Sequence, residues 1–185
     1  MHSTQPVVSR KSALRENIES LVWSVALALL IRTFIMAPFK IPSGSMHPTL
    51  IEGDRILVNR FLYRFKPPQR GDIVVFRYPE DKKRPFIKRL VAVGGDEVEI
   101  RDSHILVNGR PLESTEMFRT NYYYNQGMYG EANHPIKVPE GQYYVLGDNS
   151  GASHDSRFWG FVPKQLMIGR AICIFWPFTR WRVLR

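Results

Sequence analysis

Two serines, Ser43 and Ser45, flank Gly44 in the stretch Ile41-Pro-Ser-Gly-Ser-Met-His-Pro-Thr-Leu50. Proline fixes φ and glycine relaxes it, so local sterics shape this backbone instead of a helix or a strand. A shaped loop that presents a hydroxyl suits a serine nucleophile. A Ser/Gly/Pro linker between an anchor and a domain has the same composition, so this stretch alone leaves both readings open. The second chemical candidate is Lys88, inside Phe86-Ile-Lys-Arg-Leu-Val-Ala-Val93. Strand alternation puts Lys88 on one face with Phe86, Leu90 and Ala92, and Arg89 on the other with Ile87, Val91 and Val93. Apolar neighbours desolvate an amine and lower its pKa. To act as a base near neutral pH it must fall by roughly 3 units from about 10.4, on the order of 4 kcal/mol. Lysine in the base position is a known variant of the serine nucleophile arrangement. An edge lysine reaching to water is the alternative.

The third candidate is Gly147-Asp-Asn-Ser-Gly-Ala-Ser-His-Asp-Ser-Arg-Phe-Trp-Gly160. It follows a strand-like run and is dense in hydrogen-bonding groups. Such a loop can orient a lysine through a serine hydroxyl and brace itself with an Asp–Arg pair. A polar turn is the plainer reading. Other chemistries lack their motifs. There is no G-x-S-x-G and no S-x-x-K. The five histidines have no zinc spacing, and P-loop and dinucleotide fingerprints are missing. The single cysteine, Cys173, excludes an intrachain disulfide and a thiol-rich metal site.

The elements that must position these residues are legible in outline. The chain has 185 residues, enough for one ordinary domain plus an anchor. Residues 1–20 are polar and carry Arg10, Lys11 and Arg15. Leu21 to Ile31 is apolar except for Ser24, Arg32-Thr33 interrupts, and apolar sequence resumes to Phe39. As a helix, residues 21–39 would reach roughly 28 Å, about the hydrocarbon thickness of a bilayer. Arg32 could snorkel to headgroups. A removed signal peptide is the rival reading, but no A-x-A-like site follows the core. The preceding basic residues orient the N-terminus to the cytoplasm.

From Arg55 onward the pattern is β. Short β-branched runs at 55–59, 72–78, 86–93, 97–101, 104–107, 142–146 and 167–176 are separated by Gly, Pro and Asp. Asn108-Gly109 is a hairpin-turn signal of type I′. Residues 113–135, with Tyr122-Tyr-Tyr124, read as an exposed loop or ribbon, with a core role for the tyrosines left open. The net charge of +9 suits an anionic partner. The densest basic cluster, Lys82, Lys83, Arg84, Lys88 and Arg89, reads as a solvated face or a lipid-facing rim, because no nucleic-acid motif accompanies it.

Taken together, three segments resemble the bacterial type I signal peptidases, also called leader peptidases. They are Pro42-Ser-Gly-Ser-Met46 with Pro48-Thr-Leu50; Gly71-Asp-Ile-Val-Val-Phe76 with Ile87-Lys-Arg89; and Gly147-Asp-Asn149 with Ser153 and Asp155-Ser-Arg157. The match runs in order and covers the anchor and most of the β region. The resemblance implies a mainly β protein, with one N-terminal transmembrane helix (21–39) and an antiparallel catalytic domain (40–185). It implies a bacterial cytoplasmic membrane location, with residues 1–20 inside and the domain on the outer face. The implied reaction is removal of signal peptides from exported preproteins after small residues at positions −1 and −3. Ser45 would be the nucleophile and Lys88 its general base. The Ser45 N–H and the Ser43 hydroxyl would form the oxyanion hole, and Ser153 would hydrogen-bond Lys88. Asp155 and Arg157 would brace the loop as an ion pair. Phe39, Ile41, Met46, Leu50, Phe86 and Ile87 would line the substrate pockets. No metal or cofactor is implied. The implied partners are preprotein signal peptides and membrane phospholipid, not nucleic acid, and the enzyme would act as a monomer. The family commonly continues Gly-Asp-Asn with arginine, whereas Ser150-Gly-Ala stands here. Two other classes compete with this reading: a catalytically silent anchored relative that only binds, and a basic nucleic-acid-binding β domain.

Overall fold

The computed structural model describes residues 13–30, 36–131 and 134–184. They form two compact units that divide between residues 35 and 36. The first contains one helix, α1 (Ala13–Leu30), with Glu16 in its first turn, where a carboxylate complements the helix dipole. Leu21, Trp23, Leu27 and Leu30 are exposed on it. Among the described residues, no helix is long and apolar enough to cross a membrane.

The expected span at 21–39 is corrected at its C-terminal end. The helix already begins at Ala13, in the polar stretch. At the other end, Met36–Lys40 is a strand, β1. Pro38 explains that end, because the residue before a proline is driven to extended backbone and a proline fits an edge strand. β1 is such an edge. Residues 31–35, including Arg32, lie outside the described residues.

The second unit is mainly antiparallel β, as expected. After β1 come β2 (Arg55–Asn59), β3 (Ile73–Arg77), β4 (Pro85–Val93), β5 (Glu97–Arg101), β6 (His104–Val107) and β7 (Arg110–Pro111). A short helix, α2 (Glu116–Thr120), precedes β8 (Ile136–Lys137) and β9 (Gln142–Leu146). Then follow α3 (Ser156–Trp159), β10 (Val162–Pro163), β11 (Met167–Trp176) and β12 (Arg182–Val183). The larger sheet has the order β1-β2-β11-β3-β4-β9-β10, with β12 on β11. The smaller has the order β7-β6-β5-β8. Asn108 and Gly109 both have positive φ, as their hairpin turn requires.

The larger sheet carries the candidate residues on β4. Lys88 lies opposite Val74 in the β3–β4 register, between Phe86 opposite Phe76 and Arg89 opposite Ile73. Val74, Phe76, Leu90 and Val145 pack as one buried cluster. A bulge between Leu90 and Ala92 resets the alternation. Ala92 therefore packs with Val91 in a different cluster, and Val93 joins the cluster of Leu90. This corrects the expected faces: Ala92 does not lie with Lys88, because a bulge inserts one residue into one strand of the pair.

Within 113–135 the reading as an exposed loop is corrected in part, and Tyr123 takes the core role left open for the tyrosines. Thr115 caps α2 through Phe118 N–H, and Phe118 and Tyr123 are buried in the core, while Tyr122 and Tyr124 stay exposed. The described part of the segment is a packed cover with an outer face.

Candidate active site

The serine turn is held from several directions. Ser43 is extended, and Gly44–Met46 forms a single 3₁₀ turn closed by His47 N–H to Gly44 O at 3.0 Å. Ile41 N–H donates to Asp54 O at 2.8 Å and Gly53 N–H to Ile41 O at 3.0 Å. Met46 and Leu50, both fully buried, anchor the turn in the core. From the other side, Asn149 reaches the turn twice. Its backbone N–H donates to Ser45 O at 3.1 Å and its side chain to Gly44 O at 3.1 Å. Gly147 makes this approach feasible: a β-carbon there would collide with Ser45 O and with the Ser153 side chain.

β4 delivers Lys88 to this turn. Its Nζ lies 2.6 Å from Ser45 Oγ, donating as an ammonium or accepting the Ser45 proton as an amine. Lys88 is 4% exposed, and its Nζ sits 5.8 Å from the centre of the Phe86 ring. Burial lowers its pKa from 10.5 to about 8. The Asp155 and Asp148 carboxylates oppose that shift, and Arg157 supports it.

The loop after β9 carries the remaining expected residues. Arg157 pairs with Asp155, Nε to Oδ1 at 2.8 Å, and neither side chain is exposed. Asp155 Oδ2 accepts Gly147 N–H at 3.0 Å. Arg157 also donates to Ser150 Oγ at 2.8 Å, Ser150 O at 2.7 Å and Tyr124 O at 3.1 Å. Ser150 Oγ in turn accepts Tyr124 N–H at 2.9 Å. Ser150 thus ties the loop to the segment before β8. Ser153 is buried, but its Oγ has no hydrogen-bond partner among the described residues. The bond expected from Ser153 to Lys88 is not formed: the Lys88 amine is turned to Ser45, and Ser153 lies against Gly147.

Two openings meet at Phe86. A cleft of about 480 Å³ is lined by Ser43, Ser45, Lys88, Phe86 and Asn149, with His47, Glu52, Ala152 and His154 completing its walls. A smaller apolar pocket of about 70 Å³ contains Phe39, Ile41, Phe86 and Ile87 from the expected set, together with Ile56 and Val75. Met46 and Leu50 do not line it. They lie beneath the surface in the buried cluster that includes Ile41 and Ile87, because their side chains point into the core. Among the described residues, no group of three or more His, Cys, Asp or Glu side chains could hold a metal ion.

Sequence reasoning missed the support behind the site. Arg89 and Asp148 form a buried bidentate pair at 2.8 and 2.7 Å. Arg89 also donates to Gly71 O at 2.9 Å, and Thr49 Oγ1 donates to Asp148. Their only advance signal was membership of motif segments, without partners. The geometry can support acyl transfer: a hydroxyl beside a desolvated amine, with a small apolar pocket next to it.

The signal peptidase, peptidase S26, family model matches residues 14–176. A probable signal peptidase I-1 of Synechocystis is 41% identical over 184 residues, covering 95% of this chain and 89% of that protein. A signal peptidase I of Leptolyngbya laminosa is 43% identical over 186 residues, covering 95% and 88%. A crystal structure of a signal peptidase I from Enterococcus faecalis is 34% identical, with a TM-score of 0.47, covering 57% of this chain and 97% of that one. With its serine turn, buried lysine and polar loop inside the matched span, the chain belongs to the signal peptidase, peptidase S26, family.

Proposed function

We propose that this protein is a serine endopeptidase that cuts signal peptides from exported preproteins, with Ser45 as nucleophile and Lys88 as general base. The observation that carries the assignment is the 2.6 Å contact between Lys88 Nζ and Ser45 Oγ in a buried, apolar setting. As a neutral amine, Lys88 takes the Ser45 proton while Oγ bonds to the scissile carbonyl carbon. The Ser45 N–H and the Ser43 hydroxyl stabilise the oxyanion; one such donor is typically worth about 2.7–4 kcal/mol. The tetrahedral intermediate collapses, the C–N bond breaks, and Lys88 returns its proton to the leaving amine. Water, deprotonated by Lys88, then releases the acyl group and restores Ser45.

The small pocket, bounded by Phe39, Ile41, Phe86 and Ile87, accepts a small side chain and excludes large ones sterically. Met46 and Leu50 stiffen the turn from below. Ser153 is buried against Gly147, where the loop approaches the serine turn. Asp155 and Arg157 hold its loop. Ser45, Lys88 and the loop all come from one chain, which supports a working monomer.

The exposed apolar residues of α1 support association with the bacterial cytoplasmic membrane. The enzyme then works at the membrane surface, in contact with phospholipid. Both Ser45 and Lys88 are present, which favours an enzyme over a silent binding relative.

The test is cleavage of a preprotein with an Ala-x-Ala junction in lipid or detergent, with sequencing of the new N-terminus. A cut after the −1 alanine that is lost in Ser45→Ala and Lys88→Ala is expected. Turnover by folded Ser45→Ala protein removes Ser45 as nucleophile.

A further inference from the structure

We infer that Glu52, held against His47, is a specificity-determining residue that favours basic over acidic side chains in the first residues after the cut bond. This rests on the peptidase reading above. The small pocket and the cleft share only Phe86. A chain with its small side chain in that pocket and its carbonyl at Ser45 must continue through the rest of the cleft. There the walls are His47 and Glu52 on the side of the serine turn, and Ala152 and His154 on the side of the loop.

The Glu52 carboxylate bonds His47 Nε2 at 2.7 Å, and the two side chains are 42% (His47) and 54% (Glu52) exposed. That bond holds the Glu52 carboxyl below its usual range, so it stays charged near neutral pH. Its other oxygen is aimed across the turn: a β-carbon at Gly44 would come within 2.7 Å of Oε1. Gly44 directly precedes the nucleophile, so this negative charge stands beside the path of the leaving chain. At the other end, Lys40 edges the small pocket. The groove thus carries a cation on its acyl side and an anion on its leaving side, in a chain of net charge +9. His154 opposite stacks on Phe158 and meets the Tyr78 hydroxyl at 3.3 Å, which leaves it engaged elsewhere.

An exposed charge contact of this kind changes rates by a small, salt-dependent factor. The experiment uses three preproteins that differ only at the second residue after the cut: Lys, Gln or Glu. For the wild-type chain, kcat/KM for Lys exceeds that for Glu by about two- to fivefold at low salt, and the ratio shrinks as salt rises. Glu52→Gln brings the ratio near unity, and Glu52→Lys reverses it. Protonation of Lys88 is common to all three substrates and cancels in the ratio. A wild-type ratio of one, or a ratio that survives Glu52→Gln, overturns the inference while cleavage itself stands. No cleavage of any of the three overturns the peptidase reading and this inference with it.

Discussion

Cleavage by this protein should rise about tenfold between pH 7 and pH 9. The perturbation is pH alone, and the magnitude follows from the surroundings of Lys88. Lys88 is 4% exposed on a face shared with Val74, Phe86 and Leu90, and burial outweighs the two nearby carboxylates. The resulting value is about 8. Only the neutral amine can take the Ser45 proton. With that pKa, about one lysine in eleven is neutral at pH 7 and about ten in eleven at pH 9. The expected profile of kcat/KM climbs with unit slope below pH 8 and flattens above it, because this ratio reports the free enzyme. The assay is initial-rate cleavage of a preprotein without ionisable side chains near its junction, in detergent, from pH 6 to 10.5. Two histidines, His47 and His154, line the same cleft. A contribution from either would be lost in its glutamine variant. A profile that is flat from pH 6 to 9, or one that inflects above 10 like an ordinary lysine, refutes the assignment of a desolvated base.

Lys88→Met should stabilise the folded protein at pH 7 by roughly 3 kcal/mol, from a fall of 10.5 to about 8 at 1.36 kcal/mol per unit. The sign follows from linkage: below the folded pKa the fold must hold a buried ammonium, and that cost fades as pH rises from about 8 to about 10.5. Denaturant titrations of both proteins should therefore converge by about pH 10.5, and a gap independent of pH would contradict the argument. Arg157→Met should destabilise by about 3–5 kcal/mol, since it strands the buried Asp155 charge. It should also move the rising limb of the rate profile to higher pH, because Arg157 helps to lower the Lys88 pKa, and an unchanged profile would show that Arg157 acts on stability alone.

The strands and the reactive pair were legible because they obey local rules. The run 97–101 alternates charged and β-branched residues, 55–59 is an apolar run between polar ends, and both strands formed with those bounds. Lys88 stood out as a cation in an apolar strand, and Ser45 as a hydroxyl on a proline-bounded turn. What stayed hidden depends on distant partners. Lys82, Lys83 and Arg84 are exposed, while Lys88 and Arg89 a few residues on are buried. A linear charge cluster does not tell which face each member takes. Arg89 finds Asp148 59 residues away, and no local signal marks that pairing. The bulge that turns Ala92 from the face of Lys88 is set by pairing with β9. Tyr123 is buried between two exposed tyrosines, so the composition of 113–135 could not separate a cover from a loop. The strand β1 lay within what read as one apolar span, because apolar residues suit a sheet and a lipid core equally.

The pattern of charge around Lys88 explains how the fold can carry strong hydrogen-bonding supports without spoiling the base. Asp148 and Asp155 both organise the site: one ties Thr49 near the serine turn to β4, the other fixes Gly147 at the close approach. Unpaired, two carboxylates so near would hold the lysine protonated. Each instead bonds a buried arginine, Arg89 or Arg157, and the Arg157 charge offsets part of the carboxylates' pull on the amine. Desolvation then remains the dominant influence, and the amine stays low enough to act as a base. Arginine fits this role better than lysine, because its guanidinium stays charged when buried and bonds a carboxylate through two donors. The same pairs also hold the loop and the turn in register, so the geometry of Ser45 and the protonation of Lys88 have one structural origin.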